Sequence, residues 1–288
     1  MKTVAFATFK KVPGFSEDDV FLSDALKNNG YKYQTIPWDT KGVDWSQFSI
    51  VVLRSMWDYC DRLNEFSEWL DELEKTGVNV WNPLPVVRWN MDKRYLFELE
   101  KKGVPIIPSM LLTKNSEHDV GKIFKDTRWG EIIFKPTTGL DGRGIFFGSG
   151  ADKENLQSKL EALLTKSNVI VQPIMKSVLT EGEYSFVFIN NVYSHTALKV
   201  QNSNELKIAR RTGGVIVQRA DPSVSFIEQA EDVFEKLDKK LLYARIDMVN
   251  IDGKLHAMET ECIEPVLYFK LYPEATTKFV NAMDKLAS

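Results

Sequence analysis

The chain has 288 residues, which at about 150 residues per domain is enough for two packed units or one large one. Hydrophobic residues make up 43% and charged residues 27%, which excludes general disorder and a small disulfide-stapled scaffold. A formal net charge of −3 argues against a dedicated nucleic-acid binder, which would carry a strongly basic domain.

Residues 4–8, 31–36, 50–53 and 78–81 read as buried strands. Between them, 16–29 and 63–76 carry helix-spaced apolar residues and end at Gly30 and Gly77, suitable glycines just past a helix end. This βαβα alternation predicts a mostly parallel sheet with helices on its faces. The apolar stretch 4–7 runs at once into Lys10-Lys11 and is too short for a signal-peptide core or the ~20 residues of a membrane span, so no membrane partner and a cytoplasmic location are expected. Cys60 and Cys262 are 202 positions apart, without the spacing that zinc or redox chemistry needs, and read as reduced thiols.

After Asn82-Pro83, a helix over 86–102 leads through Gly103 and Pro105 into an extended segment, 106–113. From Glu131 the pattern becomes one of paired strands: 131–135 with 144–148, 183–190 with 192–200, and 243–250 with 254–262. Asn190-Asn191 suits a tight turn within the second pair. Helices over 152–165, 223–241 and 273–287 are interspersed. The fold class expected is α/β and α+β, a parallel-sheet N-terminal domain followed by antiparallel sheets, with the junction near residues 83–105. We divide the chain into 1–90 and 91–288, the latter into a smaller part over about 105–172 and a larger one over about 173–288.

Lys135-Pro136-Thr137-Thr138-Gly139-Leu140-Asp141-Gly142-Arg143-Gly144 lies between two expected strands. Its glycines let backbone N–H groups approach an anion closely, which suits phosphate. It is neither a Walker A loop nor a dinucleotide fingerprint, because a strand and not a helix follows. An ordinary glycine-rich hairpin loop is the alternative, but Lys135 ends an apolar strand, where a long cation can reach toward whatever the loop covers.

Glu259 and Glu261 are two apart on one strand and share a face. With Asn250 facing Lys254 across a three-residue loop, Asp247 faces Ala257 and Glu259 becomes its diagonal neighbour, so the three acids converge. They would raise one another's pKa unless cations neutralise them, and oxygen-only ligands without a histidine pair favour Mg²⁺. A solvated acidic face is the alternative.

Gln172-Pro173-Ile174 ends a buried strand that cannot stay regularly paired past the proline, leaving backbone groups that could read an adenine edge. Glu183 opens the next strand and could accept from ribose hydroxyls, although a surface acid is the default there. Lys199, Arg210 and Arg211 precede Thr212-Gly213-Gly214, a setting for oxyanion or phosphate binding or for a basic surface loop. Lys93 reads by itself as a solvated helix lysine. Arg54-Ser55-Met56-Trp57-Asp58-Tyr59 follows the strand 50–53, and ligands of open α/β sheets bind beyond strand carboxyl ends. Arg54, Ser55, Trp57 and Asp58 are therefore candidate substrate contacts; in the plain alternative, Trp57 and Tyr59 pack beneath the loop and Arg54 pairs with Asp58.

The ordered set of a helix lysine, a strand lysine, a glycine-rich loop between strands, a Gln-Pro hinge, an acidic strand start, an arginine pair and a carboxylate hairpin resembles the ATP-grasp superfamily over Lys93 to Phe269. The N-terminal unit looks like the parallel-sheet domain that precedes the ATP-grasp fold in such enzymes. Arg54-Ser55-x-Trp57-Asp58-Tyr59 and Glu259-x-Glu261-x-x-Glu264-Pro265 are similar, among its glutathione-synthetase-like ligases, to the cyclo-ligases of cycloserine biosynthesis. The resemblance implies that Lys93 and Lys135 contact ATP phosphates and that the loop from Thr138 through Gly139 and Gly142 to Gly144 closes over them. It implies adenine contacts from Gln172, Pro173 and Ile174, a ribose contact from Glu183, and Mg²⁺, or Mn²⁺ in its place, on Asp247, Glu259 and Glu261. Arg210, with Arg143 or Arg211, would stabilise the transferring phosphoryl group. Many members carry Glu-x-Asn where this chain has Glu259-Thr260-Glu261, which makes the role of Glu261 less secure.

The expected function is ATP-dependent carboxylate–amine ligation through an acyl phosphate on a small amino-acid-like substrate, in one molecule or two. The partners are a small-molecule carboxylate and amine, and a homodimer is compatible with the sequence. A small-molecule kinase is a competing reading, although the chain contains neither His-Arg-Asp nor Asp-Phe-Gly. A non-catalytic nucleotide-binding module is another.

Overall fold

The computed structural model describes residues 2–140, 142–201 and 215–286. Strands β1 (Thr3–Thr8), β2 (Lys32–Pro37), β3 (Ile50–Leu53) and β4 (Val80–Trp81) form a parallel sheet in the order β2-β1-β3-β4. The continuous apolar runs of β1 and β3 hold its two central positions, buried on both faces, while the more polar β2 lies at an edge. On one face, Phe66, Leu70 and Leu73 of the helix Leu63–Thr76 pack with Ala5, Ala7, Val51 and Leu53. That helix stops at Gly77, whose φ of +67° is a left-handed conformation that a side chain would resist. The other face is closed from the far end of the sequence: Phe279, Val280 and Met283 of the helix Ala275–Leu286 share an apolar cluster with Val4, Phe6, Ile50 and Val52. The C-terminal helix therefore covers the first sheet, a contact that spacing within the last third of the chain does not announce.

Strands β5 (Met110–Leu112), β6 (Glu131–Pro136), β7 (Phe146–Ser149) and β8 (Val169–Pro173) form an antiparallel sheet in the order β5-β8-β6-β7. Its apolar face, with Ile132, Phe134, Val169 and Val171, packs on Leu156, Leu160 and Leu164 of the helix Lys153–Leu164 as a separate small core. Strands β9 (Glu183–Ile189), β10 (Val192–Gln201), β11 (Val215–Ala220), β12 (Tyr243–Ile251) and β13 (Lys254–Glu261) form a second antiparallel sheet, ordered β11-β10-β9-β12-β13. Asn190 and Asn191, at φ +51° and +62°, make the tight β9–β10 turn expected of that pair. Among the described residues no helix is long and apolar enough to cross a membrane.

Two local departures shape the site. The helix expected over 86–102 is two, Leu84–Asn90 and Tyr95–Lys101, because Asp92 accepts from the Arg94 N–H (2.9 Å) in a local turn that competes with the helix. The Lys93 N–H then reaches the Thr137 carbonyl at 2.7 Å and ties the break to the glycine-rich loop. In the last hairpin, Ile251 pairs with Lys254, so the turn is two residues, Asp252-Gly253, both at positive φ, and not three. That register alone would put Asp247 opposite Met258 and turn it away from Glu259. A bulge at Met258 corrects the phase: Met248 pairs with Ala257 and Asp247 with Glu259.

The first and last sheets are joined by buried polar contacts. The Asn82 amide donates to the carbonyls of Tyr243 (2.8 Å) and Cys262 (2.7 Å), and its oxygen accepts from the Leu242 N–H (2.8 Å). His195, 5% exposed, stacks on Tyr272 and donates from Nε2 to the Leu267 carbonyl at 2.8 Å, so its neutral Nε2–H form is the one built in. Burial pushes its pKa down to about 4. The unfolded chain binds a proton here near pH 6.5 and the folded chain does not, so stability is full above pH 6.5 and falls as pH drops toward 4. We expect this histidine to account for a loss of about 3 kcal/mol over that window. Urea melts between pH 7 and 4 should show a correspondingly smaller loss in His195→Gln, and equal losses would contradict the assignment.

Candidate active site

A cavity of about 100 Å³ lies between the two antiparallel sheets. β6 and β8 supply Lys135, Ile170 and Gln172 on one side; β13 supplies Met258, Glu259 and Glu261 on the other; Lys93 and the glycine-rich loop close its ends. Of the residues singled out from sequence, Lys93, Lys135, Gly139, Gly142, Arg143, Gln172, Glu259 and Glu261 line this one space, although they span 169 positions of the chain. Ligand clefts usually run to ~300–1,000 Å³, so the space as it stands is smaller than one that encloses a drug-sized ligand.

The loop is shaped for close approach. Gly142 and Gly144 have φ of +71° and +74°, and a Cβ on Gly144 would sit 3.3 Å from the Pro136 ring. Thr138 is half-buried at its base. Lys93 Nζ donates to the Gly139 carbonyl (2.8 Å) and pairs with Glu259 (3.1 Å); burial opposes its charge, but Glu259 holds its pKa above the ordinary lysine value. Lys135 differs: among the described residues its ammonium makes no hydrogen bond or ion pair, and burial pushes its pKa down, opposed by the charges of Glu259 and Glu183. A half-buried cation without a contact partner at the mouth of a glycine loop suits an anion.

Gln172 is 1% exposed; its amide nitrogen donates to Ser109 Oγ (2.9 Å), while its oxygen has no donor. That orphaned acceptor suits an amino group on a bound ring. Pro173 pairs with Ile132, and the Ile174 N–H is taken by the Glu131 carbonyl (3.0 Å), so Ile174 does not offer the open backbone donor expected at the hinge.

The acids are matched with cations. Asp247, 3% exposed, accepts from Ser185 Oγ (2.6 Å), Lys199 (2.9 Å) and both Nε and Nη2 of Arg245 (2.9 and 2.8 Å). Burial opposes its charge, but Arg245 and Lys199 outweigh it and hold the carboxyl well below the usual range. Lys199 also pairs with Glu183, and Arg245 with Glu261. Burial raises the pKa of Glu261, with Glu259 and Asp247 adding to the rise and Arg245 opposing it. Among the described residues no three acidic, histidine or cysteine side chains come together as a metal cage. Asp247 is already satisfied; Glu259 and Glu261, open to the cavity beside Lys93 and Lys135, are the pair whose hard oxygens fit a divalent cation shared with phosphates. Arg245 was not singled out from sequence, yet it lies two residues before Asp247 and so on the same strand face. Asking which cation neutralises the three acids would have found it.

The polar side chains of the segment after β3, a candidate for substrate recognition from sequence, are largely taken up by partners within the fold. Arg54, 2% exposed, donates from Nε and Nη2 to Asp19 (2.9 and 2.8 Å) and to the Pro265 carbonyl (2.9 Å); its partner is Asp19, not Asp58. Ser55 Oγ also donates to Asp19 (3.0 Å). Asp58 accepts from Trp38 (2.8 Å) and Arg62 (3.3 Å), and the Trp57 indole reaches the Glu264 carbonyl at 3.4 Å. Arg143 crosses from the loop to this segment, bonding Asp61, the Trp57 carbonyl (2.8 Å) and Cys60 Sγ (3.0 Å). Arg210 and Arg211 lie outside the described residues.

The family described as the N-terminal domain of D-cycloserine synthetase DcsG matches residues 4–82. The chain is 29% identical over 286 residues, 91% of each chain, to the cycloserine biosynthesis protein DcsG of Streptomyces lavendulae. A crystal structure of D-cycloserine synthetase DcsG superposes with a TM-score of 0.88 at 26% identity, covering 99% of this chain and 100% of the other. The D-alanine–D-alanine ligase of Bacillus anthracis, complexed with ATP, superposes at 0.71 with 16% identity over 100% and 97% of the two chains, which speaks for the fold. A parallel sheet followed by two antiparallel sheets that enclose the cavity is the ATP-grasp architecture. The chain has the ATP-grasp fold and is similar over nearly its whole length to D-cycloserine synthetase DcsG.

Proposed function

We propose that the enzyme uses Mg²⁺ and ATP to activate the carboxylate of a small amino-acid-like substrate as an acyl phosphate, and that an amine of the same molecule captures it to close a ring. One observation carries this reading: two lysines, a glycine-rich loop, an orphaned glutamine acceptor and two carboxylates converge on a single cavity between two sheets. Similarity to a D-cycloserine synthetase favours cyclisation over the joining of two molecules.

In the first step a substrate carboxylate oxygen attacks the γ-phosphorus and the bond to ADP breaks. In the second, the nitrogen attacks the acyl carbon, phosphate departs with the bonding pair, and the nitrogen loses a proton. Both steps concentrate negative charge, so fixed cations aimed at the phosphates lower the barrier most. Lys135 and Lys93 meet the phosphates, the Gln172 oxygen accepts from the adenine amino group, and the loop from Thr138 to Gly144 excludes water that would hydrolyse the acyl phosphate. A divalent ion held by Glu259 and Glu261 would neutralise phosphate charge. Arg245, paired with Asp247 and Glu261, would hold these carboxylates in place beside the ion.

The test is a screen of amino acids, ureido acids and dipeptide-like acids for Mg²⁺-dependent phosphate release from ATP, with mass spectrometry of the product. A product derived from one substrate molecule, with ADP and free phosphate in equal amounts, is expected. A phosphorylated product without free phosphate would identify a kinase instead.

A further inference from the structure

β5 and β8 run antiparallel with Met110 opposite Val171, and continuing that register puts Ser109 opposite Gln172. Gln172 shares its strand face with Ile170, and both line the cavity, whereas Val169 and Val171 turn to the small core. Ser109 does not line the cavity itself. Its influence there runs through the Gln172 amide.

Which end of an amide is oxygen is decided by the hydrogen bonds around it. The Ser109 hydroxyl has one proton and donates it to the Ile107 carbonyl at 2.6 Å. Ile107 is 2% exposed, so water offers that carbonyl no substitute donor. Toward Gln172 the hydroxyl therefore has only lone pairs to present, and it accepts from the amide nitrogen at 2.9 Å. Turning the amide over would set its oxygen against the hydroxyl oxygen with no proton between them. The nitrogen is thus held from behind, and the oxygen is left with no donor among the described residues. A fixed acceptor discriminates between bases. A 6-amino purine brings it an N–H; a 6-oxo purine brings a second acceptor and leaves the buried oxygen unmet, at a cost larger than the hydrogen bond itself contributes. A glutamine free to rotate would serve both, because its amide carries donors at one end and an acceptor at the other.

We infer that Ser109 is a positioning residue that sets the base specificity of the site, by locking Gln172 so that it accepts 6-amino purines and rejects 6-oxo purines. The inference rests on the cavity being the nucleotide site and adds to that reading a residue that does not line it. Calorimetric titration of ADP and of IDP, each with Mg²⁺, tests it, because the two share sugar and phosphates and differ only at position 6 and the adjoining N1. Wild type should prefer ADP by about 10- to 100-fold, the scale of one hydrogen bond exchanged for an unmet buried acceptor. Ser109→Ala frees the amide to turn and should bring the preference to within a few-fold, chiefly by tightening IDP. A gain in IDP affinity is a change that a damaged fold would not produce. Gln172→Leu should also lose the preference, and adding Ser109→Ala to it should change the ratio no further, since Ser109 acts only through that amide. Equal binding of ADP and IDP in wild type, a Ser109→Ala variant that does not gain IDP affinity, or a further change of ratio in the double variant overturns the lock alone. Failure of wild type to bind either nucleotide would instead overturn the nucleotide reading.

Discussion

Lys135→Met should lower turnover by about 10²- to 10³-fold while leaving the protein as stable as wild type or more so. The two halves of that expectation have one cause. Lys135 is half-buried, its ammonium has no hydrogen bond or ion pair among the described residues, and burial pushes its pKa down against the opposing charges of Glu259 and Glu183. A partly desolvated ammonium without a contact partner adds little to the resting fold, and a methionine of similar length removes the desolvation penalty without opening a cavity. When a triphosphate arrives the balance reverses: the ammonium gains the charge partner it lacked, and that gain grows as the phosphoryl group transfers. Lys93→Met should behave differently, because Lys93 already grips Glu259 and the Gly139 carbonyl, and its loss should lower both activity and melting temperature. Phosphate-release turnover and thermal melts of the two variants, measured together, check the contrast. Near-native turnover in Lys135→Met would remove Lys135 from the site.

Much of the architecture was legible because it rests on period. Continuous apolar runs marked β1 and β3, alternation marked the hairpins, and Asn190-Asn191 marked a turn that requires positive φ at two successive residues. The lysines, the glycine-rich loop and Gln172 were legible as an ordered series, although nothing local to any of them says that they face one another. The break at 91–94 escaped because Asp92 competes with a helix only through its side chain, and the apolar spacing runs on unbroken across it. The bulge at Met258 escaped for a related reason: a two-residue turn and a bulge together restore the face that a three-residue turn would give, so the convergence of Asp247 with Glu259 was expected by the wrong route. Glu264 could be quoted from the sequence as part of a motif, but that one of its carboxyl oxygens is buried without a partner is a property of the folded chain. Partnerships across long separations are what spacing cannot supply, and Arg54 is the sharpest instance.

Asp19→Asn and Arg54→Met should each destabilise the protein by about 3–5 kcal/mol, and the double variant should recover most of that loss. From sequence, Arg54 at the carboxyl end of β3 was a candidate substrate contact. In the fold it is 2% exposed, donates twice to Asp19, and lies over the Tyr243 ring with its guanidinium carbon 5.1 Å from the centroid. Asp19 in turn accepts from Ser16 and Ser55 and stands 35 positions before its arginine, in the turn that precedes the helix Leu22–Asn28. Arg54 also donates to the Pro265 carbonyl, so the pair fastens the first sheet to the chain segment that follows β13. Burying two opposite charges together contributes little net stability, since desolvation offsets their attraction, but removing one strands the other in a medium that cannot solvate it. Asparagine keeps an acceptor for the serine hydroxyls and methionine keeps bulk, so the double variant loses the charges without losing the shape. Urea melts of the four proteins give the coupling between the two residues directly. A structural pair predicts strong coupling in stability. A substrate contact predicts single variants of normal stability whose defect appears only as a raised KM, and that result would return Arg54 to the binding site.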